Sequence, residues 1–200
     1  MEKRHRVFVA INLPGDIKKE LFSYSEKWLD LPAKWTEKDN LHITLEFLGA
    51  LTDEEIGEVC LAVKGVAERH NSFSLNLRSI CYGPHKGATP LSGVKGTLSV
   101  PKFVWAEGDK SEELSAIRED LEESLTEKIR FVPENRIFAP HITLARISSW
   151  EWRAIEPEER PEIHETPDLM FTVESIEVME SELKRDGPVY TVLEAHELSA

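Results

Sequence analysis

The chain has 200 residues, 40% hydrophobic and 30% charged, enough for a sizeable core and too apolar for wholesale disorder. Its 24 basic residues stand against 37 acidic ones, a net charge of −13. That argues against a protein that grips duplex DNA by neutralising phosphates, and leaves room for a nucleotide or an RNA terminus in a locally basic cleft. No apolar run approaches the ~20 residues that span a bilayer, so no membrane partner is expected. The first residues lead straight into a strand-like run, with no apolar leader segment. Two cysteines, Cys60 and Cys81, with no Cys-x-x-Cys, argue against a disulfide scaffold or a cysteine zinc site and point to a reducing cytoplasm.

The first predicted element is a strand over 6–11, closed by Asn12-Leu13-Pro14-Gly15. Ile17, Leu21, Phe22, Tyr24 and Trp28 recur at helical spacing and predict a helix over 16–28. Residues 41–48 read as a strand ended by Gly49. Thr52-Asp53-Glu54-Glu55 is a capping box that opens a helix running to His70-Asn71. Phe73-Ser74-Leu75-Asn76-Leu77 alternates strictly, as a half-buried strand does. The Gly- and Pro-rich stretch 83–101 reads as a loop with room for a small hairpin. A strand over 102–106, a helix over 112–129 and a strand over 138–147 follow, then a polar loop over 150–168. Strands over 171–179 and 189–197, joined by a turn at Asp186-Gly187-Pro188, close the chain. The tight final connection favours antiparallel pairing and an α+β class.

One tetrapeptide occurs twice, as His42-Ile43-Thr44-Leu45 and His141-Ile142-Thr143-Leu144. Each copy lies in a strand, follows a helix and belongs to a different half of the chain, which suggests two lobes related by an approximate two-fold axis. On a strand His42 and Thr44 point one way, Ile43 and Leu45 the other, and the second copy does the same. If the two strands face one another across a cleft, two imidazoles converge between two hydroxyls. With an ordinary pKa of ~6.5, one imidazole is free to accept a proton while the other donates one. Arg146 is a further candidate for phosphate oxygens, but regular alternation puts it on the face of Leu144, and aiming it inward needs a bulge or strand end near Ala145 that the sequence does not display. As zinc ligands the pair fails for want of a third ligand. Gly-x-Ser-x-Gly, Gly-x-x-x-x-Gly-Lys and Gly-x-Gly-x-x-Gly motifs are absent. His5, His70, His85, His164 and His196 read as solvated, Trp105, Trp150 and Trp152 as core or rim packing, and the Glu-rich runs 119–127 and 156–165 as solvated faces.

These residues resemble the 2H phosphoesterases, and among them the RNA 2′,3′-cyclic phosphodiesterases formerly called 2′-5′ RNA ligases. The resemblance covers nearly the whole chain. It runs through the first strand, through Trp35 with the block from Asn40 to Gly49, through the block from Phe138 to Arg146, and through Glu180-Ser181-Glu182-Leu183 with Gly187-Pro188-Val189-Tyr190. The stretch 86–100 departs from it by its length. The resemblance implies a single bilobal α+β domain over 1–200, with two antiparallel sheets, helices outside and the active-site cleft between the lobes. It implies hydrolysis of an RNA or nucleotide 2′,3′-cyclic phosphate to a 2′-phosphomonoester, with no metal and no cofactor. His42 is then the proton donor and His141 the acceptor, with Thr44, Thr143 and Arg146 holding phosphoryl oxygens. The partner is an RNA terminus or cyclic nucleotide and the protein a monomer. Two alternatives stay open: a module that binds RNA ends without turnover, and an enzyme that makes or breaks 2′-5′ linkages.

Overall fold

A computed structural model describes residues 3–84, 100–133, 138–185 and 187–200. The stretch 86–100, apart from its last residue, His85 and Asp186 of the final turn lie outside them. In chain order the strands are β1 (His5–Asn12), β2 (Ala33–Trp35), β3 (His42–Leu51), β4 (Phe73–Gly83), β5 (Phe103–Gly108), β6 (His141–Ile147), β7 (His164–Glu165), β8 (Leu169–Val173), β9 (Ser175–Lys184) and β10 (Gly187–Glu197). The helices are α1 (Gly15–Ser23), α2 (Asp53–Arg69), α3 (Glu112–Lys128) and α4 (Ser149–Ala154).

Every strand pairing is antiparallel, in the order β10-β9-β1-β3-β6-β5-β4-β7, with β2 beside β6 and β8 beside β4. The expected two lobes are present: β10-β9-β1-β3 comes mainly from the chain's two ends, β6-β5-β4 from its middle. The strand order is continuous through both lobes. Between them, β3 pairs with β6 through one residue pair, Ile43 with Ile142. Both side chains are fully buried.

Periodicity decides the layers. Val7, Val9 and Ile11 of β1 and Ile43 and Leu45 of β3 join a core with Val59, Val63 and Val66 of α2 and Leu114, Ile117, Leu121 and Leu125 of α3. α2 begins as its sequence predicts, with Glu55 N–H donating to Thr52 Oγ1 at 3.2 Å and Thr52 N–H to Glu55 Oε2 at 2.8 Å. The opposite face of β1 carries a small cluster of Phe8, Ala10, Met179 and Tyr190. That face holds the histidines.

Several elements differ from expectation. The first helix stops at Ser23 and passes into a 3₁₀ turn over Tyr24–Glu26. β3 does not end at Gly49; that residue takes a φ of +79°, open to glycine, beside a bulge at Leu48, and the strand runs on to Leu51. The loop over 150–168 contains α4 and β7, and its Trp152 is buried while Trp150 is exposed rather than packed. Three histidines are not solvated. His5 Nδ1 lies 2.6 Å from Glu180 Oε1, His70 Nε2 lies 3.0 Å from Asp120 Oδ2, and His196 is buried.

Ile43 and Ile142 are fully buried where β3 pairs with β6, so Ile142→Ala is expected to lower stability by about 2–5 kcal/mol and Ile142→Val by about 0.5–1.5 kcal/mol. Urea unfolding of both variants checks this; a cost below that of an exposed substitution for Ile142→Ala would show that the seam is not packed.

Candidate active site

The Ile43–Ile142 pair fixes the arrangement of the two motifs. In an antiparallel pair the residues on either side alternate to the opposite face, so His42 falls beside Thr143 and Thr44 beside His141. The two imidazoles sit on a diagonal with the hydroxyls between them. All four side chains are partly buried, between the helix-covered core and solvent.

Both histidines are held by the same local device. His42 Nδ1 lies 2.7 Å from the Asn40 carbonyl oxygen, and His141 Nδ1 lies 2.9 Å from that of Ala139, in each case two residues earlier. A carbonyl only accepts, so Nδ1 carries the proton in both rings. His42 Nε2 lies 3.0 Å from Thr44 Oγ1, which donates to the neutral ring.

Arg146 shares this face because of a bulge. Trp105 pairs with Thr143 and Val104 with Ala145, which leaves Leu144 as an extra residue in β6. Leu144 and Ala145 are both buried, so the alternation resets and Arg146 emerges beside His141 and Thr143. The first motif has the same irregularity: Ala10 pairs with Thr44 and Val9 with Glu46, leaving Leu45 as the extra residue. The positions after the two bulges differ in chemistry. Arg146 in one lobe answers to Phe47 in the other, and Ala145 answers to Glu46. The five residues singled out from sequence are therefore together on one face.

Other contributors carry no sequence motif. Phe8 and Tyr190 flank His42, with ring centroids 5.0 and 5.1 Å away. Burial raises the Tyr190 hydroxyl above its ordinary value, against the charges of Arg146 and Arg6. Lys34 of β2 pairs across from Arg146 and adds a second cation at that edge. Lys18 of α1 is buried and donates from Nζ to the Asp39 carbonyl at 2.9 Å, anchoring the 3₁₀ turn that supplies Asn40. Burial lowers the Lys18 pKa, opposed by Asp39 and Glu177. Burial also lowers the pKa of His42; the Asn40 bond works against the shift, and the charges of Lys18 and then His141 add to it. On the core side of the first bulge, Glu46 accepts from Arg118 Nε at 2.6 Å, and Arg118 Nη2 reaches Glu122 at 2.7 Å. Burial, and after it a hydrogen bond shared with the Glu122 carboxyl group, pushes Glu46 up to about 7 against the pull of Arg118. Among the described residues no three His, Cys, Asp or Glu side chains gather where a metal ion would fit.

An antiparallel α+β sheet that presents two His-x-Thr strands from two lobes defines a 2H-type phosphoesterase fold. A family profile described as LigT like phosphoesterase matches residues 11–90 and 104–190, and the chain belongs to that family. The unmatched residues 91–103 overlap the stretch that departs by its length. A Thermus thermophilus protein named RNA 2′,3′-cyclic phosphodiesterase is 32% identical over 200 residues, 96% of this chain and 90% of that one. One of the same name from Methanocaldococcus jannaschii is 28% identical over 189 residues, 94% of this chain and 98% of its own. Among solved structures, a Thermus thermophilus protein superposes with a TM-score of 0.77 at 29% identity, covering 96% of this chain and 97% of that one. Escherichia coli LigT complexed with 3′-AMP shares the fold, with a TM-score of 0.74 at 23% identity and 99% and 100% coverage.

Lys18→Gln keeps a donor for Asp39 but removes a positive charge near His42, so the His42 pKa is expected to rise toward the ordinary imidazole value. NMR titration of the His42 ring protons measures it, and an unchanged or lower value would show that Lys18 does not act on this ring.

Proposed function

We propose that the chain hydrolyses an RNA or nucleotide 2′,3′-cyclic phosphate to a 2′-phosphomonoester, with two imidazoles as acid and base and no metal ion. The observation that carries the reading is the diagonal of His42 and His141 about Ile43–Ile142, with Thr44, Thr143 and Arg146 on the same face. The name RNA 2′,3′-cyclic phosphodiesterase on relatives aligned along most of the chain supports the substrate.

In this reading water attacks phosphorus while His141 takes its proton, the P–O3′ bond breaks, and His42 gives a proton to the departing O3′. The hydroxyls of Thr44 and Thr143 and the guanidinium of Arg146 donate to the phosphoryl oxygens, where charge accumulates. The whole chain, 1–200, acts as one unit of two interleaved lobes and as a monomer. Among the described residues no helix is long and apolar enough to cross a membrane, and we place the protein in the cytoplasm, in keeping with the free thiols of Cys60 and Cys81. The two thiols are pushed up to about 12 and about 11, mainly by burial, and take no part as nucleophiles.

The donor role asks for a protonated His42, and in the free protein burial and Lys18 work against that state. A bound phosphate anion supplies the missing opposite charge and favours the imidazolium. The alkaline limb of kcat/KM, which reports the free protein, is therefore expected below the ordinary value of ~6.5, with the limb of kcat higher. His42→Ala removes that limb. If His42 were instead the acceptor, its titration would appear as a limb in which activity rises with pH.

The direct test is phosphorus NMR of a 2′,3′-cyclic mononucleotide incubated with the protein in EDTA. Conversion to the 2′-phosphomonoester is expected, with His42→Ala and His141→Ala each slower by about 10²–10⁴-fold. No turnover, a 3′-phosphate product, or activity lost to chelator and restored by metal would overturn the reading.

A further inference from the structure

Phe103 and Trp105 alternate along β5 onto the face that carries the second motif. Their rings are nearly parallel, 12° apart with centroids separated by 5.9 Å. The His141 imidazole lies against the indole with centroids 4.0 Å apart and planes inclined by 31°. The Arg146 guanidinium carbon sits 4.8 Å over the Phe103 ring. The strand register places them there, since Trp105 pairs with Thr143 and Phe103 with Arg146.

The space for the indole comes from Gly83, which lies opposite Phe103 on β4. A Cβ on Gly83 would stand 2.3 Å from the Trp105 ring atoms, so any other residue there displaces the indole. The first motif is floored differently, with Phe8 tilted at 38° against His42 and centroids 5.0 Å apart. Ala10 occupies the place against Thr44 that Trp105 occupies against Thr143, and His42 is also met edge-on by Tyr190.

We propose that Trp105, seated on Gly83, is the positioning residue for His141, and that Phe103 is the positioning residue for Arg146. The proposal rests on the reading that His141 and Arg146 serve cyclic-phosphate hydrolysis. A strand side chain facing a cleft has several staggered rotamers open to it, and a ring packed against one side removes those that swing toward it. The negative face of an aromatic ring also attracts a guanidinium or an imidazolium without competing for its hydrogen bonds, which leaves the donors for the phosphate.

Steady-state kinetics on a 2′,3′-cyclic mononucleotide and proton NMR of the His141 ring test it together. Trp105→Leu is expected to lower kcat by about 10–10²-fold with little change in KM, the cost of a misplaced reacting group, and Trp105→Phe to recover most of that loss. Phe103→Leu is expected to raise KM more than it lowers kcat. The His141 ring protons are expected to show the indole's ring-current displacement in the wild type, to lose it in Trp105→Leu and to have it partly lost in Gly83→Ala. A kcat for folded Trp105→Leu within about twofold of wild type, a Trp105→Phe no better than Leu, or His141 protons unmoved by removal of the indole would overturn the proposal. A wild type without turnover that still shows the ring-current displacement would contradict the enzymatic reading and leave the positioning standing.

Discussion

The site depends on one packed contact, the antiparallel meeting of Ile43 with Ile142. Strands from two lobes come together there with both side chains fully buried, and the placing of the two His-x-Thr pairs on the other face follows from the two-residue period of a strand. A slip of one residue in either strand would turn its histidine and threonine into the core and its isoleucine toward solvent. The burial of two isoleucines, ~1.5–3 kcal/mol each against exposure, thus also enforces the relative placement of two polar pairs that have little means of enforcing it themselves.

The two copies of His-Ile-Thr-Leu share more than their letters. Each histidine is pinned by the carbonyl two residues before it, and each strand carries its extra residue at the leucine. The scaffolds then diverge immediately after the bulge. The first copy buries Glu46 in an ion pair with Arg118 on α3, which ties that strand to the helix layer, and exposes Phe47. The second buries Ala145 and sends Arg146 to the cleft face. A symmetric frame thereby presents two like imidazoles in unlike surroundings: His42 sits among Phe8, Tyr190 and the Lys18 charge, His141 on an indole.

The features legible in the sequence were those set by local chemistry. The capping box at Thr52, the apolar stripe of Leu114, Ile117, Leu121 and Leu125, and the alternation in each motif are written in consecutive residues. The bulges were not legible, because a bulge is a mismatch between two strands distant in sequence: nothing in Leu144-Ala145-Arg146 reports that Val104 and Trp105 of β5 will skip Leu144. That single feature separates an Arg146 aimed at the core from one aimed at the site. Lys18 and Tyr190 were equally silent, since each reaches the site only after α1 and β10 have docked. Trp105 was read as packing, which it is; the histidine it packs against comes from another strand. His5, His70 and His196 escaped for the same reason, their carboxylate neighbours or burial coming from elements far along the chain.

In the proposed reaction Ile43–Ile142 brings two imidazoles to one phosphate in one chemical step. The double-mutant cycle of His42→Ala and His141→Ala, measured as kcat/KM on a 2′,3′-cyclic mononucleotide, decides whether that step is shared. If both act in the same transition state, the double variant loses about as much as the more damaging single one, far less than the product of the two. Losses that multiply would show two histidines contributing independently and would contradict the shared step.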